Sequence, residues 1–229
     1  LETVELYQPT FIVPNICEHS LGRLKKNCVT VKLTQEEYVY CDTASQNFWA
    51  NSKKGAYGKG ILNSQDDPTK TERVGLLGEM AFAKIAGLGV NFAYSEGGEP
   101  FDFQCSIGTI DIKTAAKLSS YKELLLYAKS GSGKEIPLTS QYYVAAFLAH
   151  EDREAQKATV VIVGYCTKEY LEAQPLVQAK VGFHHNKTCS YKDLQDIEIL
   201  LNLINPEDSV LLTHKEEEEN DDKSKKKKL

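Results

Sequence analysis

FDFQC (Phe101–Cys105) and GTIDIKT (Gly108–Thr114) are the two stretches on which the reading of this chain turns. Both alternate apolar and polar residues, and the connection between them, Ser106-Ile107-Gly108, is tight. The pattern predicts two short strands paired as a hairpin. Side chains along a strand point to opposite faces, so Ile110 and Ile112 face a core while Asp111 and Lys113 share the other side. The same alternation separates Phe101 and Phe103 from Asp102. Paired strands bring Asp102 and Asp111 close. Two carboxylates at that range repel, and a divalent cation would remove the repulsion.

Upstream, Glu79 is the only ionisable residue in VGLLGEMAFA (Val74–Ala83). A carboxylate in an apolar helix is costly unless paired or bound to metal. Gly75 and Gly78 each weaken a helix by about 1 kcal/mol relative to alanine, which close packing against a sheet would justify. Such packing would carry Glu79 toward the aspartates. Mg²⁺ suits this donor set, since it takes hard oxygen ligands and keeps waters for a substrate phosphate, and Mn²⁺ would substitute. Lys113 beside it would orient an attacking water and stabilise developing negative charge. The set suits metal-assisted phosphodiester hydrolysis. Asp102 and Asp111 on an ordinary half-buried hairpin, facing solvent without a role, is the plainer account.

Glu79, then Pro100-Phe-Asp102, then Asp111-Ile-Lys113 resemble the motif of the PD-(D/E)XK nuclease superfamily, the restriction-endonuclease-like proteins. Phe101 separates Pro100 from the aspartate, so the first part of the motif matches loosely. The resemblance spans roughly residues 72–166. It implies an α/β fold with a restriction-endonuclease-like core: helix, three antiparallel strands, helix, strand, with the glutamate on the first helix. It also implies that the Ile112 backbone carbonyl joins Glu79, Asp102 and Asp111 as a metal ligand. The activity implied is that of a deoxyribonuclease of restriction, repair or recombination type. A non-catalytic member that binds DNA or a protein is the alternative. Double-strand cutting would call for a homodimer with two sites.

The remaining elements follow from local pattern. VTVKL (29–33) reads as a strand, and Thr34-Gln-Glu-Glu37 as a capping box opening a helix from about 35 to 51. Residues 52–70 read as a glycine-containing loop, and 72–86 as a helix stopped by Gly87. Residues 115–140 look like an insertion. QYYVAAFLA (141–149) and ATVVIVGYC (158–166) read as buried strands, Thr167 as the cap of a short helix, and 191–204 as a helix. A mixed central sheet flanked by helices is expected. Residues 1–70 would be N-terminal additions packed on a core of 71–212, followed by a disordered charged tail, 213–229.

Lys53, Lys54, Lys59 and Arg73 flank the glycine loop and could grip a DNA backbone; Lys117 and Gln141 could reach the site. The formal net charge of -5 argues against bulk coating of DNA but allows a local basic cleft. No apolar run is long enough to span a membrane, and the first residues lack a signal-peptide pattern. Six scattered cysteines without a CxxC pair suggest reduced thiols in a cytoplasmic compartment. Cys166, His184, His185 and Cys189 match no standard zinc spacing. Ser130-Gly-Ser-Gly-Lys134 is no phosphate-binding loop, since Ala128 stands at the first glycine position and Glu135 at the Ser/Thr position.

Overall fold

The structure is a computed structural model that describes residues 6–21, 24–52, 67–93, 101–116, 123–130, 132–178 and 185–204. Its centre is a six-stranded mixed sheet. In chain order the strands are β1 (Ile16–Leu21), β2 (Leu24–Leu33), β3 (Phe103–Cys105), β4 (Gly108–Ala115), β6 (Tyr142–Asp152) and β7 (Lys157–Thr167), with β5 (Glu123–Lys129) set apart. The spatial order is β1-β2-β7-β6-β4-β3. Only β4 and β6 run parallel; the other neighbours are antiparallel.

Helices α1 (Gln35–Ser52) and α2 (Lys70–Ala86) cover one face. Their apolar sides meet Val29, Val31, Ile110, Ile112, Val144, Val160 and Ile162 in one core. A second sheet, ordered β5-β9-β8, lies over the other face with α3 (Lys168–Ala173). Its β8 is Val177–Gln178 and its β9 is His185–Ser190. Leu124, Leu126 and Cys189 pack there against Tyr143, Ala145, Phe147, Val161 and Val163. Burial on both faces explains why β6 and β7 read as unbroken apolar runs. A last helix, α4 (Ile197–Leu203), sends Ile197 and Leu200 into the first core.

The Thr34 capping box forms as expected. The Thr34 N–H donates to Glu37 Oε2 at 2.7 Å and the Glu37 N–H to Thr34 Oγ1 at 3.2 Å. Glu37 also holds Lys84 of α2 at 2.7 and 2.9 Å, with both side chains buried. Helix α2 ends at Gly87, whose φ of 70° closes the helix in a conformation that glycine adopts without strain.

Five expectations need correction. Residues 115–140 hold β5, whose alternation was hidden by the leucine-rich run; β5 pairs with β9, which no pattern announced. The last helix is Ile197–Leu203, because Tyr191 to Gln195 form turns in which the Gln195 backbone bridges to Tyr165. β3 starts at Phe103, so Asp102 stands just before the strand. Between β4 and β6 the described residues hold a strand of the second sheet and no helix, and β6 returns parallel to β4, unlike three consecutive antiparallel strands. β1 and β2 are part of the central sheet itself. The tail at 213–229 lies outside the described residues.

Candidate active site

The short β3 creates the site. It pairs with β4 only from Phe103↔Ile110 to Cys105↔Gly108, so among the described residues the edge of β4 beyond Ile110 has no strand beside it. Asp102 extends the ladder there. Its N–H donates to the Ile110 carbonyl at 3.0 Å, and its Oδ2 accepts the Ile112 N–H at 2.6 Å. N–H and C=O of one residue point to the same side of a strand, so the Ile112 carbonyl faces this same open edge. Asp111 and Lys113 stand in register with Tyr143 and Ala145, which belong to the second core. Their side chains therefore leave β4 on the side of the second sheet, as alternation predicts.

Glu79 comes from α2, on the opposite face. Gly78 sets how closely that helix approaches. A Cβ there would lie 1.8 Å from Thr114 Oγ1 of β4, so only glycine lets α2 sit this near the strand. One turn on, Phe82 packs on Phe103 with ring centroids 5.5 Å apart. Gly75 is different: a Cβ there would meet only Glu79 Oε1 at 4.0 Å, an ordinary contact. The Glu79 carboxylate runs back along the helix over Gly75, the direction helical side chains take. The close packing expected of both glycines holds at Gly78 alone.

The three carboxylates and the ammonium sense one another. Burial pushes the Glu79 carboxyl well above its ordinary range, and the charges of Asp102 and Asp111 raise it further against the pull of Lys113. Asp102 is pushed up to about 7 by burial, then by Asp111, while the Ile112 N–H and Lys113 oppose the shift. Burial also raises Asp111, against the nearby ammonium. Burial alone would lower Lys113, but Asp111, with Asp102 and Glu79, outweighs it and the net shift is upward. Lys113 Nζ lies 2.8 Å from Asp111 Oδ1 and 2.6 Å from Oδ2. Its side chain is 43% exposed against 12% for Asp111, so solvent reaches the cluster from the lysine side.

Buried carboxyls raised by desolvation and held beside a specific charged partner are a feature of functional sites. Fully ionised, the cluster would carry three negative charges and one positive, an excess that one divalent cation balances. Hard carboxylate oxygens are the right donors for such an ion. Among the described residues, no group of three or more His, Cys, Asp or Glu side chains is arranged to hold a metal as it stands.

The peripheral candidates fare differently. Arg73 is no DNA-facing cation. It is 1% exposed, with Nε on Glu151 at 2.7 Å, a terminal nitrogen on Asp67 at 2.6 Å and another on Thr69 at 3.0 Å. Its position beside a polar loop suggested exposure, but the loop side supplies the acid that buries it. Gln141 caps the foot of the β4–β6 pair, its Oε1 accepting the Thr109 N–H at 3.3 Å, and does not turn to the carboxylates. Lys53, Lys54, Lys59 and Lys117 lie outside the described residues, as does His184. Cys166 and Cys189 are buried free thiols.

Tyr143 is a neighbour the sequence hides. It stands opposite Asp111, fully buried, and its hydroxyl accepts the Ser140 N–H at 3.0 Å. Burial pushes its phenol up, and the Asp111 charge adds to the shift. Within the apolar run QYYVAAFLA, nothing marks it out from core.

No protein-family model, no curated protein and no solved structure matches the chain. No helix among the described residues is long and apolar enough to cross a membrane.

Proposed function

We propose that this protein is a metal-dependent nuclease that hydrolyses phosphodiester bonds of DNA at the open edge of β4. One observation carries the reading: Asp102 accepts the Ile112 N–H of β4 at 2.6 Å, the next-door Asp111 holds the partly exposed Lys113 ammonium at 2.6 Å, and Glu79 of α2 is near enough for both aspartate charges to raise its carboxyl. When bound, Mg²⁺ or Mn²⁺ would supply charge for a phosphoryl oxygen and a lowered pKa for a water. Asp102 and Asp111 would hold the ion with the Ile112 carbonyl on the same edge, and Glu79 would complete the acidic wall. Lys113 would donate a hydrogen bond to the phosphate as negative charge grows on it. The resemblance to the PD-(D/E)XK superfamily supports this reading through the same four residues.

Incubating supercoiled and linear DNA, and RNA, with Mn²⁺ or Mg²⁺ tests it. Wild type should cut DNA, and Asp111→Ala or Lys113→Ala should lower the rate by roughly 100-fold or more, the scale on which a transition-state charge partner acts. Equal inactivity of wild type and variants on every substrate would sink the reading. It would favour instead a non-catalytic DNA- or protein-binding role, to which the existing Lys113–Asp111 pair is also suited, since each already has a partner.

A further inference from the structure

Both oxygens of Asp111 are occupied. Lys113 Nζ bridges them at 2.8 and 2.6 Å, so its ammonium stands where a cation bound to that carboxylate would stand. Asp102 is half committed, with Oδ2 fixed on the Ile112 N–H. The carboxylates are thus gathered at one edge, yet no three of them form a metal-holding group among the described residues. Of the two partners in the ion pair, Lys113 is free to move. Its side chain is 43% exposed against 12% for Asp111, and it is a point charge on a long flexible stem.

We infer that Lys113 is an internal competitor for the metal: a divalent ion takes Asp111 only as the ammonium leaves it, and the ammonium so released is the one that meets the substrate phosphate. The inference rests on the metal-dependent reading above. Lys113 is a single charge whose partly solvated pair is weak, so a divalent ion displaces it. In the absence of metal the same lysine keeps the buried aspartate from standing unpaired. The lysine thus has two positions, and the metal selects between them.

The test is Mn²⁺ binding to the full chain without DNA, read as free Mn²⁺ by electron paramagnetic resonance. Lys113→Met and Lys113→Gln should bind roughly two- to fivefold more tightly than wild type, the range expected for losing one partly exposed ion pair. Lys113→Arg, which keeps a cation within reach of Asp111, should not. Both tight-binding variants should have lost DNA cleavage, so that affinity and activity move in opposite directions. In wild type, acetylation of Lys113 followed by mass spectrometry should rise at saturating Mn²⁺. Unchanged labelling there, or unchanged or weaker Mn²⁺ binding in Lys113→Met and Lys113→Gln, overturns the competition while leaving the metal site standing, provided Asp111→Asn still abolishes binding. If wild type binds no Mn²⁺, or Asp111→Asn binds it equally well, the metal reading fails and the competition with it.

Discussion

Thr114 and Gly78 show how much a single contact governs here. The Thr114 hydroxyl is buried with no hydrogen-bond partner among the described residues, and it fills the space a side chain at 78 would need. Gly78→Ala should therefore destabilise the protein by about 1–3 kcal/mol, the scale of forced overpacking. Urea unfolding would show it, and adding Thr114→Ala should recover part of the loss. Thr114→Val keeps the shape and removes the stranded hydroxyl. It should leave stability unchanged or raise it by up to about 1 kcal/mol, and a clear loss would mean that the hydroxyl has a partner after all. Asp111 and Lys113 were legible because strand alternation is a strict rule, and Glu79 because an apolar helix makes a lone carboxylate conspicuous. The Lys113–Asp111 ion pair was not, since a shared face says nothing of which neighbour a flexible lysine takes. The burial of Arg73 is not legible either, because its partners Asp67 and Glu151 lie on either side of it in sequence and only the fold brings them to it.

α1 and α2 are joined by charge as well as by apolar contact. Glu37 closes the cap of α1 and holds Lys84 of α2, while Arg73 reaches Glu151 of β6, which also accepts the Tyr38 hydroxyl at 2.9 Å. Removing one partner of a buried pair leaves the other charge uncompensated. Glu37→Gln should cost about 3–5 kcal/mol, and the double variant Glu37→Gln/Lys84→Met much less. Similar losses for the single and double variants in thermal melts would refute this. Elements with local signatures were readable in advance: the Thr34 box, the Gly87 stop and the Thr167 cap, whose side chain accepts the Tyr170 N–H. β5, β8 and β9 were not, because their pairing joins distant segments and two of the strands carry little apolar alternation. α4 was overextended, since the apolar spacing that continues upstream belongs to Tyr191 and Leu194, which pack into the other core.

For the whole molecule, the three raised carboxyls set how stability responds to pH. A native carboxyl with a raised pKa keeps protons that the unfolded chain has released. Stability should therefore fall as pH rises from the ordinary aspartate value of 3.8 through about 7, where Asp102 titrates. Glu79 and Asp111 shift in the same direction, so they add to this fall. Without divalent ions the melting temperature should decline across that window. Mg²⁺ or Mn²⁺ should restore it at pH 8 and do less at pH 5, where Asp102 holds its proton; a melting temperature that climbs through the window would contradict the burial of these groups. The topology carries a further consequence, one of timing. Val29 to Leu33 of β2 pair with Ala158 to Ile162 of β7, so the first hairpin finds its neighbour only late in the chain. During synthesis α1 and α2 emerge in time to cover Val29, Val31 and Leu33, but the backbone edge of β2 that β7 will pair must wait beside the ribosome, open, until β7 has emerged. A nascent chain halted before Lys157 should be open to protease along β2 and a client for chaperones, whereas one extended past Thr167 and clear of the exit tunnel should become resistant in a single step.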